Sequence, residues 1–401
     1  MSRSERSVRY HKRQTDSVIR QAYARLAADS DTVKKFDELL SCVRKRAPRL
    51  LEAPVVNGRH SGIEALVHLS RYKDAHVGTV TGWSGTTSSW RLAVSLLAHH
   101  LVCKYEVPMF LASAWWVADP VADRKRGWFV AHSRGDRFRS LCRPIMMTRE
   151  MESIFLTSQD HLGIEEAIRR AELVALRAPA EVISAVLSTQ LATDLSNGDF
   201  WRTVWMFLVA NASVMDTAQV APLIDFIQAI RHYRATIETP EGIVQMDPPQ
   251  PAFSMKGRTV QSMLRLIQEW HRSLGVGHAG LAWVPSPFRP MLLEEPSLDA
   301  SAPPKRWQMM ELTNSEQLRM EGAALHHCVA SYVDRCCRGM SRIWSLRSWR
   351  GDKVRHVLTI EIDPKRRAVV QARGSANRFP SGKPLQLLQD WANRERLRMA
   401  I

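Results

Sequence analysis

Apolar residues recur at three- and four-residue steps over residues 15–29 and 33–46. That period predicts two amphipathic helices, the second ended by Arg44-Lys45-Arg46-Ala47-Pro48. The Gly-, Ser- and Thr-rich patch from Val77 to Ser89 reads as loop or short strands. Leu92 to Cys103 is apolar enough for a buried helix, and Trp128-Phe129-Val130-Ala131 reads as a short strand. From Ile164 to Tyr233 helical spacing dominates, with Pro179 suited to the first position of a helix and Asn197-Gly198-Asp199 forming a turn. Another helix is expected over Val260–Leu274. No clean repeat is present, although paired helices leave a solenoid-like layout open.

The pattern changes after Trp283. Prolines at 285, 287, 290, 296, 303 and 304 mark a linker over residues 284–306. Beyond it, Thr313-Asn314-Ser315-Glu316 has the form of a capping box, with Thr313 as cap and Glu316 three residues on. A helix to Gly322 and a second from Leu325 to Cys337, stopped by Gly339, should follow. Three strands are expected at Arg342–Ser348, Arg355–Ile362 and Ala368–Arg373, joined by turns at Arg350-Gly351-Asp352 and Asp363-Pro364-Lys365. A last helix covers Leu385–Arg398. The fold class is therefore α+β. A mainly helical region (15–283) leads through the linker into a small α-α-β-β-β-α domain (307–401) with an antiparallel sheet.

Alternation along these strands sorts their side chains. Trp344, Leu346, Leu358, Ile360, Ile362, Val370 and Ala372 make an apolar face for helices to cover. Ser345, Arg347, Thr359, Glu361, Gln371 and Arg373 gather on the other. The ordinary fate of such a face is solvent exposure. An acid, an amide and two guanidiniums together make a ligand-binding face the alternative.

Charge strengthens that alternative. The 401-residue chain carries a net charge of +16. Residues 305–401 hold 19 Lys and Arg against 9 Asp and Glu, and 15 of those bases are arginine. A second excess lies in the first 20 residues, of which 1–14 read as a flexible basic arm. Arginine forms bidentate phosphate contacts and stacks on bases, so nucleic acid is the expected partner, DNA more than RNA. Compositional bias toward arginine is the plain alternative. An apolar content of 45% argues against global disorder. No apolar run long enough for a transmembrane helix and no signal-peptide core are present, so no membrane and a cytoplasmic location are expected. The six cysteines form no CxxC pair, so buried thiols are expected rather than a disulfide framework.

His326-His327-Cys328 invites several uses. Zinc would need Cys336 and Cys337, more than two helical turns away, which is poor tetrahedral geometry, so no metal is assigned. A Cys–His nucleophile would need a partner such as His356 from elsewhere. A helix burying Cys328 and Tyr332 is the plain outcome, and His327 or Tyr332 reaching a ligand is the functional one. Gly374 to Pro380 forms a turn whose N–H groups, with Arg378, could meet a phosphate.

Taken together, His327-Cys328-Val329, Ser331-Tyr332, Gly339, Ile343, Ser345-Leu346-Arg347, Thr359-Ile360-Glu361, Gln371-Ala372-Arg373-Gly374 and Asn377 resemble the PcfJ-like family of mobile-element proteins. The resemblance covers about a quarter of the chain. It implies association with the mobilisation or maintenance of a conjugative plasmid or related element, and brings no established reaction. The leading expectation is a nucleic-acid-binding accessory protein whose helical region meets protein partners. Its candidate binding residues are Tyr332, Arg347, Gln371, Arg373, Asn377 and Arg378. Two alternatives differ in class. One is a metal-dependent nuclease using Glu361, with Asp363 as a second ligand if the strand extends, although Gln371 and Arg373 stand where such cores carry an acid and a lysine. The other is a nucleotide or small-molecule sensor with the polar sheet face as its pocket. Catalytic candidates are His327 and Glu361. No cofactor is assigned.

Overall fold

A computed structural model describes residues 3–53, 55–56, 59–85, 87, 89–117, 121–142, 145–239, 242–273, 280–295, 303–325, 329–375 and 378–400. Backbone packing divides the chain into two compact units, Met1–Ala175 and Leu176–Ile401.

The first unit is helical apart from one minimal hairpin. Its elements are α1 (Arg3–Leu26), α2 (Ser30–Arg46), β1 (Val55–Val56), β2 (Arg59–His60), α3 (Ser61–Arg71), α4 (Trp90–Val102), α5 (Ala122–Ser133), α6 (Phe138–Leu141), α7 (Arg149–Leu156) and α8 (Ile164–Ala175). The helix expected from residue 15 begins at Arg3, within the stretch read as an arm. Every residue of α3 from Ser61 to Ser70 is buried. Such a helix must sit at the centre of its unit and compensate its own polar groups. Glu64 on α3 pairs with Arg25 of α1 at 2.6 Å.

Trp128–Ala131 is helical, not a strand. A four-residue apolar run does not distinguish the two states. Here the helix continues upstream, where Asp123 and Arg126 pair at i,i+3 (2.8 Å), and Lys125 reaches Glu165.

The second unit opens with α9 (Ala180–Leu187), α10 (Gly198–Ala210) and α11 (Val220–Ile227), which runs into a π-helical turn at Gln228–His232. A hairpin, β3 (Ala235–Thr239) and β4 (Gly242–Met246), and helix α12 (Val260–Ser273) follow. The sheet and its helices come next: β5 (Met291–Glu295), β6 (Lys305–Leu312), α13 (Ser315–Leu325), α14 (Val333–Cys337), β7 (Arg342–Arg350), β8 (Lys353–Asp363), β9 (Ala368–Arg373), α15 (Gly382–Arg394) and β10 (Arg398–Met399). Spatial order is β5-β6-β7-β8-β9-β10, antiparallel throughout except for the parallel β9–β10 edge. The mainly helical first part and antiparallel-rich sheet are those of the expected α+β class.

The sheet has six strands where the alternation pattern suggested three. Residues 284–306, read as a linker, contribute β5 and the start of β6. This stretch is also pinned to the sheet's surroundings. Phe288 is buried in the main core. The Trp391 indole and Arg394 guanidinium donate to the Arg289 carbonyl at 2.8 and 2.7 Å. Prolines there interrupt strands without preventing an edge strand, where no ladder partner is lost.

The apolar face is Trp344, Leu346, Leu358, Ile360 and Ala372, packed on Leu387, Leu388, Trp391 and Ala392 of α15. Trp344 and Trp391 meet at 4.7 Å between ring centroids. Burying each large side chain contributes about 1.5–3 kcal/mol. A second cluster lies on the opposite face, where Leu312 and Ile343 meet Leu318, Val333 and Cys336. Helices therefore cover both faces.

The capping box is shifted by one residue. Asn314 Oδ1 accepts the Gln317 N–H at 2.8 Å, and Gln317 Oε1 accepts the Thr313 N–H at 2.7 Å. Glu316 turns outward to Arg319. Gly339, φ +67°, follows α14 as expected. Gly351, φ +58°, supplies the left-handed position that a two-residue β7–β8 loop needs.

Candidate functional site

Strand register brings the polar residues together in rows. Ser345 pairs with Thr359 and Thr359 with Arg373. Ile343 pairs with Glu361 and Glu361 with Gln371. The face is not a solvated outer surface: Ser345, Thr359 and Glu361 are buried. Alternation predicts which residues share a face. What covers that face depends on helices whose docking carries no local signature.

Part of the cover is α13. Its Glu321 is fully buried and was not singled out by the sequence. Its Oε2 accepts from Arg347 at 3.3 Å and lies 2.6 Å from His356 Nδ1, while Oε1 accepts from Thr359 at 3.1 Å. Arg347 also donates to Ser345 at 3.1 Å. Arg347 is therefore tied into an internal network, and His356, considered as a nucleophile's partner, is held by the same carboxylate. A buried acid is tolerable only with such compensation.

The rest of the polar face forms one wall of a cleft of about 530 Å³. Thr359, Glu361, Gln371 and Arg373 line that wall, and Tyr332 and Arg335 border it. The facing side comes from Asp225, Gln228, His232 and Trp270. Gln228 and His232 belong to the π-helical turn, a rare geometry that often marks functional sites.

Inside the cleft, the Tyr332 hydroxyl donates to Gln371 Oε1 at 3.4 Å. Glu361 Oε1 accepts from Ser341 at 2.7 Å and pairs with Arg335 at 2.9 Å. The Arg335 guanidinium also lies 5.1 Å from the Tyr332 ring centroid. Arg373 packs its guanidinium 4.0 Å from the Phe379 ring centroid and donates to the Ala372 carbonyl. Burial holds the Arg373 pKa below its usual value, against the opposing influence of Asp225. Arg373 makes no ion pair among the described residues.

Of the sequence candidates, the cleft thus unites Tyr332, Glu361, Gln371 and Arg373 and leaves Arg347 outside. Arg378 is exposed on the turn after β9. That turn spends two N–H groups internally, Gly374 on the Arg378 carbonyl (2.8 Å) and Arg378 on the Ser375 carbonyl (3.4 Å). His327 and Asn377 lie outside the described residues. Asp363 ends β8, where it accepts the Arg366 N–H at 2.9 Å. Among the described residues no three His, Cys, Asp or Glu side chains stand close enough to share a metal ion. The lining carries the carboxylates Asp194, Asp225 and Glu361 beside the guanidiniums of Arg234, Arg335 and Arg373, and of these guanidiniums Arg234 pairs with Asp247 and Arg335 with Glu361, which leaves Arg373 without an ion pair among the described residues.

A second feature lies at the β7–β8 end of the sheet. Lys305 pairs across strands with Arg350, and Arg350 with Lys353. Arg306 pairs with Trp349 in the next row, and Arg355 lies opposite Ser348 in the one after. Arg306, Arg350, Lys353 and Arg355 are exposed, and the Lys305 ammonium lies 4.0 Å from the Trp307 ring centroid. Arg306 has Glu294 at 3.4 Å. Among the described residues Arg350, Lys353 and Arg355 make no ion pair, whereas Lys305 lies opposite Glu295 of β5, a carboxylate that also pairs with Lys383 at 2.8 Å. Like charges directly opposite on neighbouring strands destabilise a sheet. No periodicity of the sequence reveals this row, because it depends on register between strands far apart in the chain.

No helix among the described residues is long and apolar enough to cross a membrane. No curated protein and no solved structure matches the chain. Residues 304–386 match the family model described as PcfJ-like protein, a span that runs from the start of β6 into α15 and includes both the sheet wall of the cleft and the basic hairpin.

Proposed function

We propose that this PcfJ-like segment is a nucleic-acid grip, and that the chain serves as a non-enzymatic accessory protein of a mobile genetic element, acting in the cytoplasm on DNA in preference to RNA. The observation that carries the reading is the cation row Lys305–Arg350–Lys353, flanked by Arg306 and Arg355. Of these cations Arg350, Lys353 and Arg355 make no ion pair among the described residues, and close cations of that kind favour a polyanion, which relieves their repulsion and releases its own condensed counterions. Trp349, half-buried in the row beside them, adds a ring that an unpaired base can stack on.

The test is fluorescence anisotropy with labelled single- and double-stranded DNA and RNA over a series of salt concentrations. Affinity should fall steeply with salt and be highest for DNA. Substrates should stay intact with Mg²⁺ or Mn²⁺ present. The double variant Arg350→Glu/Lys353→Glu should bind about tenfold or more weaker, with the salt slope reduced by about one per lost phosphate contact. Unchanged affinity in that variant, or binding insensitive to salt, would sink the proposal. Metal-dependent cleavage lost in Glu361→Gln would replace it with the nuclease alternative.

A further inference from the structure

The cleft over the polar sheet face is not needed for a grip on phosphate backbone, and its chemistry differs from that of the hairpin. Its volume, about 530 Å³, lies within the range typical of small-molecule sites. Arg373 brings a half-buried positive charge to the wall; it makes no ion pair among the described residues, and the carboxylate that acts on it electrostatically is Asp225 in the same lining. A charge removed from water needs compensation, and an anion in direct contact with the guanidinium would supply more of it than Asp225 does without an ion pair. The depressed pKa of Arg373 is the signature of the same burial. Beside it, Gln371 accepts from Tyr332 through Oε1, which leaves its amide N–H₂ to donate. Trp270 and Tyr332 both line the same space and offer it planar rings. Arg335 and Glu361 neutralise each other at 2.9 Å and so do not compete for the anion.

A guanidinium for an anion, an amide for a hydrogen-bonding edge and rings for a flat heterocycle form a set that matches one ligand class. We infer that the cleft binds a single nucleotide unit, its phosphate on Arg373, its base edge at Gln371 and its ring against Trp270 and Tyr332. The unit comes either as a free mononucleotide or as the terminal nucleotide of a single strand. The inference stands apart from the hairpin, whose cations lie at another part of the sheet.

The experiment is calorimetry on the full chain with AMP, GMP, CMP and UMP, the matching nucleosides, inorganic phosphate, and short oligonucleotides with and without a terminal phosphate. Saturable binding is expected for at least one mononucleotide, with its nucleoside and inorganic phosphate each about tenfold or more weaker. Arg373→Gln should weaken it by about tenfold or more, Arg373→Lys by less, and Gln371→Leu measurably, at unchanged melting temperature. If Arg373→Gln does not fold, Arg373→Lys and Gln371→Leu decide by the same comparison. Arg350→Glu/Lys353→Glu should leave it intact, which separates this inference from the grip. Competition by the phosphorylated oligonucleotide identifies a strand end; competition by mononucleotides alone identifies the free form. The inference is overturned if no nucleotide or strand end binds saturably, if inorganic phosphate binds as tightly as any nucleotide, or if the cleft variants bind like the parent.

Discussion

Glu321 shows how a single side chain organises the polar face. It is fully buried and holds Arg347, His356 and Thr359 at hydrogen-bonding distance. Removing it leaves the Arg347 guanidinium uncompensated. Glu321→Ala should lower unfolding free energy by about 3–5 kcal/mol, read from denaturant titration. Glu321→Gln should cost less, because the amide oxygen still accepts from Thr359 or Arg347. If both variants unfold like the parent, the carboxylate is not the centre of this network. In the sequence Glu321 is one acid among several in a helical stretch, and nothing local distinguishes it from an exposed neighbour such as Glu316. By contrast Glu361, Gln371 and Arg373 were legible, because strand alternation fixes their shared face whatever covers it.

At the scale of elements, legibility followed the range of the forces involved. β9 has the expected bounds, and β7 and β8 differ from expectation by one to two residues at their ends, because period-two alternation and the Gly351 turn are local signals. β5 and β6 were missed. Met291–Glu295 sits among prolines, and its strand state comes from pairing with Lys305–Leu312 rather than from its own residues. α5 was misread for the opposite reason, since its apolar run is too short to show a period. The cap of α13 moved by one residue: Asn314 accepts the Gln317 N–H in place of Thr313 accepting that of Glu316, and Gln317 takes the Thr313 N–H that Glu316 was expected to take. The cleft wall from α11, its π-helical turn and α12 had no sequence signature, since only long-range packing brings those residues opposite β8 and β9.

For the molecule as a whole, pH dependence offers a check on the first unit. Burial, and then the nearby Arg126, lowers the pKa of His68 from 6.5 to about 4; Glu64 and Asp123 oppose this, and Arg71 adds to it. His60 and His76 are lowered in the same direction, also by burial. The His68 ring stays neutral in the folded chain over the range in which the unfolded chain takes up protons, below about pH 6.5. Stability is therefore fully present above that value and is lost as pH falls toward 4, by up to about 3 kcal/mol for His68 alone. Urea midpoints should drop between pH 7.5 and 5, and His68→Gln should flatten the drop. Equal slopes for variant and parent would contradict the assignment.

The outer side of β5 has a consequence for how copies of the chain behave in concentrated solution. An edge strand with unpaired backbone groups is a template on which another chain can add. Leu292, 71% exposed, makes that template sticky. Glu294 and Glu295 at its end, with Pro290 just before it, act as gatekeepers: a second edge meeting this one antiparallel would set its apolar Met291 and Leu292 against these carboxylates and bring a missing N–H beside the new ladder. Glu294→Gln/Glu295→Gln should therefore aggregate or self-associate at lower protein concentration than the parent in light scattering. Identical scattering from the two would show that the edge needs no such protection.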